Sequence, residues 1–449
     1  MKKRRFFGEP SSEGSFATLR KIFEKIPQTG LIAWGGYLAA MFIVLLLVEA
    51  AVKSFGIAGI YMIGFALLGA AAEVLTILWI GKRLLDREHC LRVDWVPTDV
   101  ALALMLVWCG LSTVFSSDPM VAYVGSDYRR EGLSTYLIYA ALYFCCRRIR
   151  QENWTRCFAW FLCMTGTLLS VWSLFYASSL GKLAEQKLGY FTVFTYSACG
   201  VFDNLNHYAY FLTMSMMAAA GIFLVSSAGA QKILALIAYA VQSYMMVQNG
   251  SLGGYVAVVI GLLFLLVMSI VRKEGCIGAA VLLLAIHFVM TIVSSYVGYD
   301  IIMDAQHVAT ELEQGVIAES NTLVRFYMWK QALGYIARRP LLGFGPDGSG
   351  VLEFGCEPVL NDRPHNEYLQ YAVFFGIPGA LMYLSALGTL FVRCIRKIKQ
   401  LSVVGLILGG MVFAYCASAF VGNSMYYTTV YFVMILALLV NESTRDVRK

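Results

Sequence analysis

His365 lies at the boundary between a polar segment and a long apolar run. An imidazole can accept a proton from a hydroxyl group near neutral pH. Arg325 precedes it in the same polar segment, and a guanidinium group can bind two phosphate oxygens at once without a metal ion. The pair indicates a site that deprotonates a hydroxyl group beside a bound phosphate. The residues alone leave open that His365 caps a helix or lines an interface, and that Arg325 is a surface ion-pair partner.

The residues after Arg325 predict the element that positions it. The glycine-rich turn 343–348 comes shortly afterwards and lacks the Gly-Lys-Ser/Thr of a phosphate-binding P-loop, which is therefore excluded. Segment 306–319, on the other side of Arg325, is polar and predicts a solvated helix. Between them, apolar side chains at helical spacing predict an amphipathic helix that ends at Pro340; they are Phe326, Trp329, Leu333 and Ile336.

The composition excludes a soluble enzyme. Of the 449 residues, 59% are hydrophobic and 14% charged, against roughly 45–50% and about 25% in soluble proteins. The apolar runs also lack the alternation of a membrane barrel. We therefore predict an all-α polytopic membrane protein with about twelve transmembrane helices of about 20 residues each. The predicted spans lie near 31–52, 57–81, 98–115, 132–146, 154–178, 207–227, 231–248, 252–271, 276–296, 366–392, 402–422 and 425–440.

The distribution of the 35 Lys and Arg residues predicts the orientation. Most of them fall on one side of the spans, which by the positive-inside rule is the cytoplasmic side and holds both termini. This bias accounts for the net charge of +7 without nucleic-acid binding. The basic, polar start has no apolar core of a signal peptide. The predicted organisation is a cytoplasmic tail at 1–30, spans at 31–296, an extracytoplasmic catalytic loop at 297–365, spans at 366–440 and a second tail at 441–449.

Several motifs together resemble the O-antigen ligase and polymerase superfamily. The similarity covers roughly residues 120–440, and the block 325–377 is its most specific part. The motifs are Arg325…Trp329…Ala332-Leu333…Pro340-Leu341-Leu342-Gly343-Phe344-Gly345, then His365-Asn366-Glu367-Tyr368-Leu369-Gln370 and Gly376-Ile377, with Asn204-Leu205-Asn206-His207 and Tyr128-Arg129-Arg130-Glu131-Gly132-Leu133 upstream.

The resemblance implies a fold and an activity. It implies a bundle like that of the C-type glycosyltransferases, with a long extracytoplasmic loop between spans 9 and 10, in a bacterial plasma membrane. Such an enzyme moves a glycan from an undecaprenyl-pyrophosphate carrier to an acceptor hydroxyl without a metal or other cofactor. By this resemblance His365 activates the acceptor hydroxyl, and Arg325 holds the donor pyrophosphate. The other residues expected to bind substrate are Asn204, Asn206, His207, Asn366 and Glu367.

One position departs from the family pattern. Many members carry a Ser-Arg-Gly motif at the start of the eighth span, and its Arg is a second pyrophosphate contact. Leu252 stands in the place of that Arg. Arg129 and Arg130 lie on the outer side before the fourth span, and two interpretations remain open for them. One of them supplies the missing positive charge, or they only pair with Asp127 and Glu131.

The nature of the acceptor is also open. A polymerase extends one lipid-linked glycan with another, whereas a ligase transfers the finished glycan to a different lipid or protein. The missing Arg at Leu252 favours the polymerase. A membrane transporter is the alternative from another class, because His287 and Glu73 are polar groups inside predicted spans. The chain shows no internal repeat that would support it.

Two further features have simple explanations. Glu311 and Glu313 are the nearest approach to an acidic metal-binding pair, but they fit a solvated helix face. Cys199 and Cys356 both fall in outer loops. They could form a disulfide in an oxidising compartment, or they are two small buried thiols.

Overall fold

The fold was analysed in a computed structural model. It describes residues 12–55, 57, 59–86, 95–188, 199–272, 277–297, 301–314, 323–350, 352–356 and 359–445.

Helices dominate the described residues, and each predicted span coincides with one of them. Ten are long and apolar enough to cross a membrane, whereas the fourth and eleventh predicted spans form the shorter helices α6 and α16. The chain is an all-α polytopic membrane protein. The helices are α1 (Ser12–Glu24), α2 (Gln28–Ser54), α3 (Ile60–Asp86), α4 (Pro97–Val114), α5 (Pro119–Val124), α6 (Leu133–Arg147), α7 (Glu152–Ala177), α8 (Ser179–Leu188), α9 (Leu205–Val225), α10 (Gly229–Asn249), α11 (Leu252–Arg272), α12 (Ile277–Val297), α13 (Ile301–Gln314), α14 (Leu323–Arg338), α15 (Glu367–Arg396), α16 (Val403–Ala419) and α17 (Tyr426–Thr444).

The centre of the bundle is formed by α9 and α17, the most deeply buried of the ten spanning helices. Helix α9 packs against α7, α10, α11 and α16, and α17 packs against α6 and α16. Small residues allow the close approach of membrane helices. At one such crossing a Cβ atom on Gly166 would lie 2.0 Å from Ser215 Oγ, and that hydroxyl donates to the Leu162 carbonyl at 2.7 Å.

The predicted extracytoplasmic loop contains two helices and a hairpin. Helix α13 covers the start of the predicted solvated helix, and α14 confirms the helix after Arg325, ending just before Pro340. A 3-10 turn at Pro346–Gly350 and the antiparallel strands β1 (Phe354–Cys356) and β2 (Val359–Asn361) follow.

The apolar spacing of α14 does not coincide with its buried face. The apolar residues chosen from spacing include Phe326 and Leu333, which are 51% and 59% exposed. The side chains that pack inward are instead Val324, Met328 and Ala332. Helical spacing of apolar residues identifies a helix, but beside a membrane an apolar face does not have to contact protein.

Helix α15 is broken near its first third, and the glycine-rich turn after α14 fills the break. Gly376 has φ 70° and ψ 179°, which is not a helical conformation. The Phe344 and Gly345 amides donate to the carbonyls of residues 373 and 374, each at 2.9 Å. Backbone groups freed at membrane depth must find partners within the protein, and this turn supplies them.

Helix α4 completes the same junction. Trp108 Nε1 donates to the Phe375 carbonyl at 2.9 Å, and Ser112 Oγ donates to the Phe374 carbonyl at 2.8 Å. The two backbones approach so closely that a Cβ on Gly343 would lie 2.4 Å from the Phe374 oxygen. The motif from Pro340 to Gly345 and the Gly376 break are therefore two halves of one backbone contact.

The substitution Gly376→Ala is expected to destabilise the protein by about 1–3 kcal/mol from backbone strain alone, because a Cβ would also lie 2.2 Å from the Leu341 oxygen. Thermal unfolding of the purified protein in detergent measures the effect. Gly388→Ala is the matched control, since a Cβ at Gly388 in the same helix meets nothing within 4 Å. Equal unfolding midpoints for the two variants would contradict the proposed junction.

Candidate active site

His365 lies between β2 and α15 in a strained backbone conformation. Its φ is 50°, in the left-handed region. Among the described residues, the other non-glycine residues with positive φ are Arg130 and Asp347; Asp347 belongs to the same site, as shown below, and Arg130 follows Arg129 of that site in sequence. Strained conformations of this kind cluster at functional sites. Asn366 follows as the N-cap of α15, with its Oδ1 accepting from the Leu369 amide at 3.0 Å.

The imidazole of His365 is partly buried and incompletely paired. Its Nε2 lies 3.3 Å from Asn361 Oδ1, and its Nδ1 is buried without a hydrogen-bond partner among the described residues. Burial lowers the pKa of His365, the charges of Arg325 and Arg129 lower it further, and Asp362 opposes them, which leaves a pKa of about 3. The ring is therefore neutral at physiological pH and able to accept a proton.

Arg325 reaches the same site from the first turn of α14. Its charge is the largest electrostatic influence on His365. Burial lowers the pKa of Arg325 from its usual value, and Tyr210 opposes this, but a guanidinium this basic remains charged. Among the described residues, no carboxylate lies within ion-pair distance of it. The structure thus brings a cation without a counterion next to a neutral histidine.

Arg129 is buried beside this pair and has a counterion. Its Nε and Nη2 donate to the Asp362 carboxylate at 2.7 and 2.6 Å, and its Nη1 lies 3.5 Å from His207 Nε2. Burial raises the pKa of Asp362, but Arg129 outweighs it and brings that pKa down to about 2. Arg130, by contrast, faces outward and pairs with the fully exposed Asp127 at 3.1 Å.

The guanidinium of Arg363 is buried completely and connects several segments of the site. It forms ion pairs with Glu131 and Asp347, whose side chains are 0% and 2% exposed, and it donates to the Ser424 carbonyl at 3.0 Å. The other Glu131 oxygen accepts from Tyr139 at 2.9 Å. This network joins the segments that precede α6, α15 and α17. Arg129, two residues before Glu131 in sequence, pairs with Asp362 instead.

The Asn-x-Asn motif lies at the start of α9, close to His207. Asn204 is the N-cap and accepts from the Asn206 amide at 2.8 Å. Asn206 Oδ1 accepts from Ser251 Oγ at 3.0 Å, so the motif binds the residue directly before Leu252. The Nε2 atom of His207 faces Arg129, as described above. Its Nδ1 is buried without a partner among the described residues.

Glu367 points away from solvent into a tyrosine cluster. Its side chain is 0% exposed, and its two oxygens accept from Tyr383 at 2.9 Å and from Tyr415 at 3.0 Å. These bonds fix the start of α15, directly after His365 and its capping neighbour. The described contacts of Glu367 are thus with the protein itself.

The remaining candidates lie apart from this site. His287 in α12 has its Nδ1 2.7 Å from Ser243 Oγ and stacks on Tyr255. Glu313 is exposed on α13. The described residues contain no group of three or more His, Cys, Asp or Glu side chains arranged to hold a metal ion. Cys199 is a free thiol, and the side chain of its suggested partner lies outside the described residues.

A comparison with known families bears on the class of protein. Residues 233–384 match the family model described as O-antigen ligase, a segment that runs from α10 into α15 and contains both Arg325 and His365. This match over part of the chain supports a membrane glycosyltransferase of the O-antigen ligase and polymerase type. The match confirms the resemblance to that superfamily. No curated protein is similar enough to the chain to count as a match.

Sequence reasoning missed the charged partners that organise the site. Asp362, Arg363 and Asp347 were not assigned a role, and Glu131 was considered only as a partner of its neighbours. One signal was available, since Asp362 and Arg363 lie three and two residues before His365 and charged residues at the mouth of a membrane helix need partners. The identity of those partners depends on contacts across more than 200 residues of sequence.

Glu131→Gln is expected to lower the free energy of unfolding by about 3 kcal/mol or more, because it removes the charge of one of the two carboxylates that accept hydrogen bonds from the buried guanidinium of Arg363. Glutamine keeps the size of the side chain. Asp127→Asn is the matched control, since that carboxylate is fully exposed in its pair with Arg130. Chemical denaturation of both variants in detergent tests the difference, and a wild-type midpoint for Glu131→Gln would contradict it.

Proposed function

We propose that the protein transfers a glycan from an undecaprenyl-pyrophosphate carrier to an acceptor hydroxyl on the extracytoplasmic side of a bacterial plasma membrane, with both termini cytoplasmic. The observation that carries this proposal is the neutral, partly unpaired His365 beside the unpaired guanidinium of Arg325. Such a pair fits a reaction in which the base deprotonates one group and the cation stabilises an anion that leaves.

In the proposed reaction, His365 accepts the proton of the acceptor hydroxyl. The oxygen then forms a bond to the anomeric carbon of the donor sugar, and the bond from that carbon to the pyrophosphate oxygen breaks. Arg325 neutralises the lipid pyrophosphate that leaves with the electron pair. The cations at the site supply the charge that a metal provides elsewhere, so no metal ion takes part.

Of the two arginines that precede α6, Arg129 is the better candidate for a second positive charge. It is buried and lowers the pKa of His365, which means that its charge is felt at the site despite the pair with Asp362. Arg130 is turned outward toward Asp127. We propose that Arg129 is the second pyrophosphate contact, in place of the Arg that many family members carry at the position of Leu252.

The other predicted residues take supporting roles in this proposal. His207 presents its Nε2 to Arg129 and retains an unpaired Nδ1, so it is placed to contact substrate. Asn204 and Asn206 position the start of α9. Asn366 and Glu367 fix the first turn of α15 and thereby the orientation of His365.

The acceptor we propose is a second lipid-linked glycan, which makes the protein a polymerase. The departure from the ligase-like donor motif at Leu252 favours this choice. The second candidate is transfer to a different lipid or to a protein, and the description of the matched family as O-antigen ligase favours it.

His365→Ala is expected to reduce turnover by about 10²–10⁴-fold, the usual contribution of a positioned base. The wild-type kcat/KM for the donor should stay flat from pH 8 to about 5, because the ring accepts a proton in the free protein only near its pKa of about 3. Single-turnover assays in nanodiscs measure both. A variant that keeps a tenth of wild-type turnover, or an acid limb centred near pH 6.5, would contradict this role.

Arg325→Lys is expected to lose at least about tenfold in turnover, because lysine keeps the charge but cannot form two parallel bonds to phosphate. Lys330→Arg, on the exposed side of the same helix, is the control for substitution in α14. Unchanged donor KM and kcat in Arg325→Lys would remove Arg325 from the donor site.

The experiment that tests the whole proposal uses purified protein and undecaprenyl-pyrophosphate repeat units, with excess chelator and no other acceptor. A polymerase yields a ladder of products spaced by one repeat. No product from the donor alone, but a single transferred product after a lipid or protein acceptor is added, would establish the ligase. Activity that vanishes with chelator and returns with Mg²⁺ would overturn the metal-free mechanism.

A further inference from the structure

A cavity of about 230 Å³ lies at the same end of the bundle as His365, between the outer parts of α2, α3 and α17 and the segment before α9. Water occupies about 30 Å³ per molecule in the liquid, so the cavity has room for several waters or for one sugar ring. Neither the motifs of the sequence nor the proposed reaction assigns it a role.

The lining of the cavity combines aromatic rings with charged groups. Tyr61, Tyr426 and Tyr427 form one aromatic wall, with ring centroids 4.8 to 6.2 Å apart. Rings of this kind bind the C–H face of a sugar, while a few placed polar groups bind its hydroxyls. The hydroxyl of Tyr427 is buried without a hydrogen-bond partner among the described residues, which is a costly state unless a ligand completes it.

The charged groups are two carboxylates and one ammonium. Glu49 is buried and accepts from the Tyr61 amide at 2.7 Å, whereas the side chain of Asp203 is 57% exposed. Lys53 lies between them, 3.7 Å from the first and 3.8 Å from the second. The excess of one negative charge disfavours an acidic sugar and suits a neutral or amino-substituted one.

The cavity borders the candidate active site through two side chains. The ring of Tyr427 packs edge-on against His207, with centroids 5.4 Å apart, and His207 in turn contacts Arg129. Arg325 comes from α14, which packs on α15 and β1 rather than on the helices around the cavity. A sugar in the cavity and a pyrophosphate at Arg325 would therefore approach His365 from different helices.

We propose that this cavity is an acceptor subsite, which binds one neutral or amino-substituted sugar ring of the glycan whose hydroxyl is activated at His365. This inference rests on the proposed function for the reaction at His365, but the binding it describes does not require turnover. Two substitutions separate it from a structural role. Met62→Trp fills the cavity from α3, and Asp203→Ala removes its exposed carboxylate.

The test measures binding of the lipid-free oligosaccharide, released by mild acid from the repeat units of the source cells, to full-length protein in nanodiscs. Met62→Trp and Asp203→Ala are each expected to weaken binding about tenfold. In turnover assays they should raise the KM for the acceptor by a similar factor and leave the KM for the donor unchanged. The controls are Ile63→Trp, whose side chain is 59% exposed on the same turn, and Glu313→Ala on α13.

The outcomes distinguish this proposal from the one on which it rests. Binding and acceptor KM of Met62→Trp equal to those of Ile63→Trp would overturn the subsite. Wild-type protein that binds the oligosaccharide in a way sensitive to Met62→Trp, yet transfers no glycan to any acceptor, would support the subsite and overturn the proposed reaction.

Discussion

A guanidinium group removed from water costs several kcal/mol unless carboxylates compensate it, and Arg363 is removed from water completely. Its two closest counterions come from distant parts of the chain, Glu131 before α6 and Asp347 after α14. Any arrangement that separates these segments while Arg363 stays buried weakens the compensation of its charge. His365 and Arg129 each lie two residues from a member of this network, so the network also constrains their positions. Buried ion pairs thus constrain the relative positions of the segments that form the site.

The second constraint concerns the backbone. Helix α15 begins at the site and is interrupted at Gly376, which frees carbonyl groups at a depth where water is scarce. The turn after α14 supplies amides to these carbonyls, and Trp108 and Ser112 supply side-chain donors. The same contact connects α14, which carries Arg325, rigidly to the helix that follows His365. The glycine-rich turn thus connects the two helices that position Arg325 and follow His365.

The sequence predicts those parts of the fold that depend on local signals. Each span is confirmed as a helix because apolar character over some 20 residues reports membrane burial directly, and Pro340 marks the end of α14. The buried face of α14 does not follow from the sequence, since the apolar spacing includes Phe326 and Leu333, which are exposed. The ion-pair partners of Arg129 and Arg363 could not be predicted from the sequence either. Asp362 and Glu131 lie more than 200 residues from them, and charge pairing at that separation depends on the tertiary fold.

The low proton affinity of His365 has a consequence for the order of events. In the empty site burial and the charges of the surrounding arginines disfavour the protonated ring, so the imidazole is a weak base. A bound pyrophosphate diester brings two negative charges that offset those arginines, and the imidazole then becomes more basic. Donor binding and proton uptake are therefore thermodynamically coupled, and departure of the lipid pyrophosphate would restore the original repulsion and expel the proton. The same cations that hold the donor would in this way reset the base after every transfer.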